Sequence, residues 1–261
     1  MTRTAPRIAS IDGLRGLLAA YVMLSHVFPS AGATYHLPPA SIAVGLFFVM
    51  SGYVLTPSWN GDYAAFLVRR FLRLWPVYAA CLAAGSLILG VRLAWTDFAF
   101  YPIFPTVAAV HADLPVWSLH IEMWAMLAMP FIVWSGKSLP RTVIGALVFA
   151  VLGQYEMRFA NGALFVLGSY LSRYHFDFAP LNGRVAQWLG RISYSLYLTH
   201  WIVLKACALW FPAAVYVEIP IAFVVSYLVC VTIERASISL SRQASKTIRN
   251  LRLQVPALRA A

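Results

Sequence analysis

Three ionisable side chains, Asp12, Arg15 and His26, interrupt the apolar segment IDGLRGLLAAYVMLSH at residues 11–26. Ionisable groups are costly in such a segment, and each is therefore a candidate functional residue. On an α-helix, Arg15 and His26 share one face and lie about 16 Å apart along the axis. An imidazole can take a proton from a hydroxyl group, so His26 is a candidate general base. The alternative is structural: Arg15 extends to the interface and a neighbouring carbonyl group satisfies His26.

Glu122 is a carboxylate inside a second apolar segment, VWSLHIEMWAML, where it needs a polar partner. If that segment begins on the outer side of a membrane, Glu122 lies at a depth comparable to that of His26. The candidate partners are His26, His120 and Arg15. A pair of His26 and Glu122 would fix the tautomer and the basicity of the histidine, as proton abstraction requires. A purely structural buried pair is the alternative.

Three arginines lie within five positions in RRFLRLWP: Arg69, Arg70 and Arg73. Arg70 and Arg73 have the i, i+3 spacing that places two side chains on one helix face. Guanidinium groups bind phosphate with two parallel hydrogen bonds, so the cluster is suited to a phosphorylated ligand. Ordinary anchoring of a membrane helix by basic residues is the alternative.

The segment LGRISYSLYLTHW places Ser193, Tyr197 and His200 on one helical face. This face could line a substrate channel or bond to neighbouring helices. In FFVMSGYVL, Ser51 and Gly52 are small residues that favour close approach of another helix, or of a ligand. The side chains expected, on this basis, to line a substrate path are Asp12, Ser51, Tyr197 and His200. No metal site is predicted, because the sequence has neither an HExxH nor a CxxC motif.

The elements that hold these residues must be membrane helices. Of the 261 residues, 61% are hydrophobic and only 11% are charged, whereas soluble domains are about 45–50% apolar and about 25% charged. This composition excludes a soluble globular enzyme, a disordered chain and a nucleic-acid-binding protein. We predict an all-α, polytopic bundle of about eight spans, within a range of seven to ten, because a span needs about 20 residues. The predicted spans are residues 10–28, 41–57, 74–91, 115–135, 141–153, 160–172, 192–210 and 219–234, and residues 93–112 are expected to be interfacial or re-entrant.

The basic residues predict the orientation. If the N-terminus lies inside, all of the Lys and Arg residues except Arg92, Arg158 and Lys205 fall on the inner side or at its membrane edge. The positive-inside rule then places both termini in the cytoplasm, and the net charge of +11 reflects topology. We expect one transmembrane domain over residues 1–236, with no attached soluble domain, and a basic cytoplasmic tail over residues 237–261. That tail is expected to lie on anionic headgroups, with binding to a partner as the alternative.

Taken together, the motifs resemble those of the membrane acyltransferase-3 family, whose members acylate lipopolysaccharide, exopolysaccharide and other sugars. The motifs, in order, are IDGLRGLLAAYVMLSH, FFVMSGYVL, RRFLRLWPVY, WSLHIEMW, FVLGSYL, LGRISYSLYLTHW and SYLVCVTIER. The resemblance implies that Arg15 and His26 form the family's Arg-x10-His motif, with His26 catalytic. It also implies that Arg70 and Arg73 lie near the phosphates of CoA, and that Glu122 is the WSLxxE glutamate. Family members often have a second acidic residue directly after this glutamate, where this chain has Met123.

The resemblance implies an acyl-CoA-dependent acyltransferase of the bacterial cytoplasmic membrane. Acyl-CoA, commonly acetyl-CoA, would be a co-substrate rather than a permanently bound cofactor, and the acceptor would be a cell-envelope carbohydrate or lipid-linked sugar. His26, oriented by Glu122, would act as general base or would first take the acyl group itself. Two alternatives stay open: a proton-coupled transporter or channel using the same residues as a relay, and an inactive scaffold of the same family type. The sequence leaves the oligomeric state open.

Overall fold

A computed structural model of the protein describes residues 8–30, 38–99, 105–210 and 217–259. Within these ranges the regular structure is entirely helical. The α-helices are α1 (Ala9–Ser30), α2 (Ala40–Ser58), α3 (Tyr63–Leu89), α4 (Trp95–Phe98), α5 (Val107–Ala112), α6 (Val116–Leu127), α7 (Met129–Ser135), α8 (Leu139–Tyr155), α9 (Gly162–Leu171), α10 (Arg184–Trp210), α11 (Glu218–Val229) and α12 (Arg235–Arg259). Two short 3₁₀ helices, Met157–Asn161 and Ala179–Asn182, and a π-helical turn, Cys230–Glu234, complete the described helices.

Helix α3 shows how the local sequence sets the ends of an element. Asp62 caps its first turn by accepting a hydrogen bond from the backbone amide of Ala65 at 3.1 Å. The helix ends at Gly90, which adopts a left-handed conformation with φ of 65°. Between these ends, α3 is long enough to carry both the arginine motif and an apolar span.

Judged by helix length and hydropathy, the structure has fewer candidate spans than the sequence predicts. Among the described residues, five helical segments qualify: Ala9–Phe28, Ala40–Ser58, Tyr63–Leu89, Arg184–Trp210 and Glu218–Ile248. Helices α6 and α7 would add a sixth span if counted together, although they are bent by 74°. The fold is therefore an all-helical membrane bundle, but these segments do not reach the predicted eight.

The two segments predicted as short spans explain much of this difference. They form α8, which has 17 residues, and α9, which has only 10 residues. At 1.5 Å per residue, a helix of this second length covers about 15 Å, or half of the hydrocarbon core of a bilayer. The predicted re-entrant segment at residues 93–112 contains the short helices α4 and α5, and residues 100–104 lie outside the described part of the chain.

Helices α1 and α10 pack closely against each other at two glycines. A Cβ atom on Gly16 would collide with the backbone of Leu189 and Gly190, and one on Gly190 would collide with the backbone carbonyl of Asp12. Small residues permit such backbone contact between membrane helices. This packing fixes the register of α1 against α10, and both helices supply residues to the candidate site.

A second close pair joins α2 and α9. A Cβ atom on Gly52 would collide with the backbone carbonyl of Phe165, so Gly52 serves helix packing. Its neighbour Ser51 points away from that contact and reaches the interior pocket described below. Gly52 thus provides the predicted close approach of another helix, and Ser51 faces the space in which a ligand could lie.

The C-terminal segment continues the last span rather than leaving the bundle at once. Helix α11 passes through the π-helical turn into α12, which packs along α3. Ser237 and Ser241, at the start of the predicted tail, are buried. The turn adds an extra residue to the helix, a feature often found at functional sites, and here it ends at the buried residue Glu234.

Candidate active site

One pocket opens between five helices, α1, α2, α3, α6 and α10. Its polar and charged lining residues are Arg15, Ser51, Arg70, Arg73, Ser118, Glu122, Ser193, Tyr194 and Tyr197. The remaining lining residues are aliphatic or aromatic and include Phe47 and Phe48. The residues predicted from sequence that line this pocket are Arg15, Ser51, Arg70, Arg73, Glu122 and Tyr197. Those that do not line it are Asp12, His26, Arg69 and His200.

The three arginines of the pocket have no close counter-charge in the described part of the chain. Arg15, Arg70 and Arg73 are half-buried, and no described carboxylate oxygen lies within 4.0 Å of their nitrogen atoms. The guanidinium of Arg70 lies 6.0 Å from the centre of the Phe66 ring, and the charges of the three arginines repel one another. Unpaired guanidinium groups facing one space form a site for an anion, and phosphate fits their geometry.

Glu122 is the one carboxylate of the described residues in this pocket, and its hydrogen-bond partner is Ser51. The hydroxyl of Ser51 donates to Oε1 of Glu122 at 3.3 Å. The negative charge of Glu122 partly offsets the charges of Arg70 and Arg73. The pocket nevertheless combines three guanidinium groups with a single carboxylate, so it attracts anions.

His26 lies outside the pocket and is paired with a second histidine. Nδ1 of His26 and Nε2 of His200 are 3.0 Å apart, and the two rings are nearly parallel, with an interplanar angle of 3°. The ring of Trp201 meets His26 edge-on at 5.5 Å between centroids. His200 is completely buried, and its Nδ1 lies 3.1 Å from the backbone carbonyl of Leu196.

The predicted pair of His26 and Glu122 is therefore wrong, because each residue has a different neighbour in the fold. The depth of Glu122 along its own helix does not determine which helix it faces, and α10 rather than α6 packs against α1. Glu122 consequently lies with the arginines, and His200 takes the place beside His26. His120 is not the partner of Glu122 either, since Nε2 of His120 lies 3.0 Å from the hydroxyl of Tyr78.

Tyr197 connects the pocket with the histidine pair. Its hydroxyl lies in the pocket, 2.7 Å from the hydroxyl of Ser118. Its ring contacts Phe47 on one side, at 5.5 Å, and His200 on another, at 6.1 Å between centroids. The predicted polar face of α10 is confirmed as an interior face, although its residues serve two different places.

The remaining predicted residues have other positions. Asp12 and Arg69 are half-buried and lie outside the pocket lining. The backbone of Asp12 contributes to the close contact with Gly190. Arg69 therefore differs from Arg70 and Arg73 although it belongs to the same motif. Within the described chain, no group of three or more His, Cys, Asp or Glu residues could hold a metal ion.

Glu234 is a candidate residue that our sequence interpretation missed. It is buried at the end of the π-helical turn, and Oε2 accepts a hydrogen bond from the hydroxyl of Ser195 at 2.6 Å. Its charge acts on Arg73 and Arg15 from outside the pocket lining. An acidic residue inside the apolar motif SYLVCVTIER was the available signal.

Asp113, between α5 and α6, was missed as well. It is completely buried, and neither carboxyl oxygen has a hydrogen-bond partner among the described residues. Burial raises the pKa of Asp113 well above its ordinary value, because the charged form loses its solvation. Burial therefore favours the neutral form of this side chain over the charged one.

Comparison with known proteins agrees with the geometry. Residues 8–182 match the family model described as an acyltransferase domain. A protein from Rhizobium radiobacter, named protein 2 in the picA locus, is 34% identical over 93 residues, covering 32% of this chain and 47% of that protein. The chain thus spans about half the length of this relative. No solved structure matches the chain significantly. Because the matching region exceeds half of the sequence and contains His26 and the three pocket arginines, the chain belongs to the acyltransferase-3 family of membrane acyltransferases.

Proposed function

We propose that the protein transfers an acyl group, in the simplest case acetyl, from cytoplasmic acyl-CoA to a hydroxyl group of a cell-envelope saccharide or related acceptor. The observation that carries the proposal is the pocket with three arginines that have no close counter-charge from any described residue. A second feature supports it: the candidate base, His26, lies on α1 together with Arg15, about 16 Å further along the axis.

The arginines suit the donor. CoA presents phosphate groups at one end and the thioester at the end of a long, flexible arm. In this proposal Arg15, Arg70 and Arg73 hold phosphates, while the arm extends between apolar pocket walls such as Phe47 and Phe48. Because these arginines are half-buried, each charge-assisted hydrogen bond is stronger than one formed in water.

His26 suits the chemical step. Nε2 of His26 takes the proton of the acceptor hydroxyl while the hydroxyl oxygen attacks the thioester carbon. The new C–O bond forms, the C–S bond breaks, and the leaving sulfur receives the proton from His26. The products are the acylated acceptor and free CoA with its thiol, so His26 returns to its starting state.

The orientation in the membrane follows from charge. Arg15, Arg70 and Arg73 lie toward the N-terminal ends of α1 and α3. The positive-inside rule assigns these ends to the cytoplasm, where acyl-CoA is found. In a bacterial cell this corresponds to the cytoplasmic membrane, with His26 nearer the outer face and the acceptor.

The test is the release of free thiol from acetyl-CoA by purified protein in lipid nanodiscs, with a cell-envelope glycan fraction as acceptor. We expect His26→Ala to reduce the rate by about 10²–10⁴-fold, the contribution typical of a general base. CoA binding, measured by calorimetry, should be unchanged, since His26 lies outside the pocket.

Mass spectrometry of glycans and lipids from cells with and without the protein identifies the acceptor by a missing acyl increment. Full activity of His26→Ala would refute the proposed role of the histidine. Solute uptake into proteoliposomes that depends on pH and needs no acyl-CoA would instead favour a transporter.

A further inference from the structure

The hydrogen bonds around His200 determine which ring nitrogens of the histidine pair carry hydrogen. Nδ1 of His200 lies 3.1 Å from the carbonyl oxygen of Leu196, which can only accept a hydrogen bond. Nδ1 of His200 is therefore the donor. In a neutral imidazole the other nitrogen, Nε2, then has a lone pair and can only accept.

The same reasoning applies to His26. Nε2 of His200 accepts, so its partner at 3.0 Å, Nδ1 of His26, must donate. The hydrogen of His26 is thereby placed on Nδ1, and Nε2 of His26 keeps a lone pair. Among the described residues, no hydrogen bond engages this Nε2. The two hydrogen bonds, which start at the carbonyl of Leu196, thus leave Nε2 of the half-buried His26 as a proton acceptor.

We infer that His200 is a positioning residue, which holds His26 in the tautomer whose free lone pair is on Nε2. The inference rests on the proposed function only for its consequence, that this lone pair receives the proton of the acceptor hydroxyl. A tautomer fixed by the partner of the other nitrogen is a general device of histidine chemistry. Here the partner is a neutral imidazole, whereas the sequence prediction had assigned this task to the carboxylate of Glu122.

The surroundings of His200 suit this task. It is completely buried, and its ring is held between the Leu196 carbonyl and the ring of Tyr197, 6.1 Å away between centroids. His26 also contacts the ring of Trp201, at 5.5 Å between centroids and an interplanar angle of 74°. A neutral partner also avoids the cost of burying an unpaired carboxylate at this depth.

The direct test is nitrogen-15 solid-state NMR of histidine-labelled protein in lipid bilayers, in which protonated and unprotonated ring nitrogens give well separated signals. The chain has six histidines, and the signals of His26 are assigned from their loss in His26→Gln. We expect Nδ1 of His26 to carry hydrogen and Nε2 to be unprotonated. In His200→Phe, which cannot accept a hydrogen bond, this single tautomer should give way to a mixture.

The kinetic test is the release of thiol from acetyl-CoA by the same variants. We expect His200→Phe to lower kcat by about 10–100-fold with an unchanged KM, as for the loss of a residue that orients a functional ligand. His200→Gln should recover most of the rate, because its amide oxygen can accept from Nδ1 of His26. His120→Phe replaces another completely buried histidine, and should leave kcat near the wild-type value.

Each result decides the inference. A wild-type His26 with hydrogen on Nε2, or His200→Phe with wild-type kcat, would overturn it. Failure of His200→Gln to recover activity beyond His200→Phe would also count against a hydrogen-bonding role. If wild-type protein releases no thiol but His26 shows the expected tautomer and loses it in His200→Phe, the positioning role stands and the proposed function fails. If His200→Phe does not fold, the wild-type tautomer and the His200→Gln rate still decide.

Discussion

The arginine pocket and the histidine pair both include residues of α1 and α10, yet their polar groups have opposite kinds of surroundings. In the pocket, Arg15, Arg70 and Arg73 have no described carboxylate within 4.0 Å. In the histidine pair, the hydrogen bond of His26 continues through His200 to a backbone carbonyl. One region keeps its charges unpaired among the described residues, and the other has an internal chain of hydrogen bonds that leaves only Nε2 of His26 open.

This difference corresponds to two different tasks. An unpaired guanidinium inside a membrane protein is costly, and a ligand that supplies the missing negative charge recovers that cost as binding free energy. A base needs a defined lone pair rather than an unmet charge, so its partner must be present before any substrate arrives. We therefore associate the pocket with affinity for the donor and the histidine pair with the rate of transfer.

Removing one pocket arginine should have the largest effect, because it should weaken donor binding without lowering the rate of transfer. We expect Arg73→Ala to weaken CoA binding by about 10–100-fold, because a hydrogen bond to a charged group contributes about 1.5–3 kcal/mol. The value of kcat at saturating acetyl-CoA should stay close to that of the wild type, since the histidine pair is untouched. Calorimetry with CoA and the kinetics of thiol release measure the two quantities separately.

Arg69→Ala is the matched control for this prediction. It removes an identical side chain from the same motif but does not change the pocket lining. CoA affinity should therefore change little. Equal losses in Arg69→Ala and Arg73→Ala would show that general positive charge, rather than the pocket, attracts the donor.

Asp113 tests whether unpaired groups outside the pocket must be neutral. Its pKa is raised by burial, so between the ordinary value of 3.8 and the higher native value the folded protein binds one more proton than the unfolded chain. The free energy of unfolding should therefore fall as the pH rises through this window, by up to about 1.4 kcal/mol per pH unit. Asp113→Asn should remove that slope and leave the protein more stable at neutral pH.

Thermal or chemical unfolding in detergent between about pH 5 and about pH 8 measures the slope. Asp177→Asn provides a control of opposite sign. Hydrogen bonds from Asn182 and Ser10 lower the pKa of Asp177, so its contribution is lost at low pH and should not affect this window. An unchanged slope in Asp113→Asn would mean that Asp113 is ionised in the folded protein.

Glu122 gives the smallest expected effect and the sharpest distinction between the two regions. Glu122→Gln removes the only described negative charge from the pocket lining but can still accept from Ser51. CoA should bind a few-fold more tightly, consistent with less than about 1 kcal/mol for a partly screened charge. If Glu122 oriented His26, the same change would instead reduce kcat and disturb the tautomer of His26.

The sequence predicted those features that depend on spacing along one helix. Arg70 and Arg73 share a face of α3, and both line the pocket. The polar face of α10 was also correct, because Ser193, Tyr197 and His200 all point to the interior. Helical periodicity of 3.6 residues determines such relations without knowledge of the rest of the fold.

Features that depend on how helices meet could not be predicted in this way. The contact between His26 and His200 joins residues 174 positions apart and needs the packing of α1 against α10. The assignment of Glu122 to His26 failed because hydropathy does not reveal that α10, rather than α6, packs against α1. Asp113 and Glu234 required knowledge of burial and of tertiary neighbours, which a single sequence does not provide.

The spacing of Arg15 and His26 has a consequence for the proposed donor. Both residues belong to one continuous helix, so their separation of about 16 Å along its axis is set by that helix alone. The backbone contact with α10 at Gly16 and Gly190 holds this helix beside the candidate site. If acyl-CoA is the donor, as proposed, a thioester arm shorter than this span would reach one end only, and the protein would select its donor by length as well as by charge.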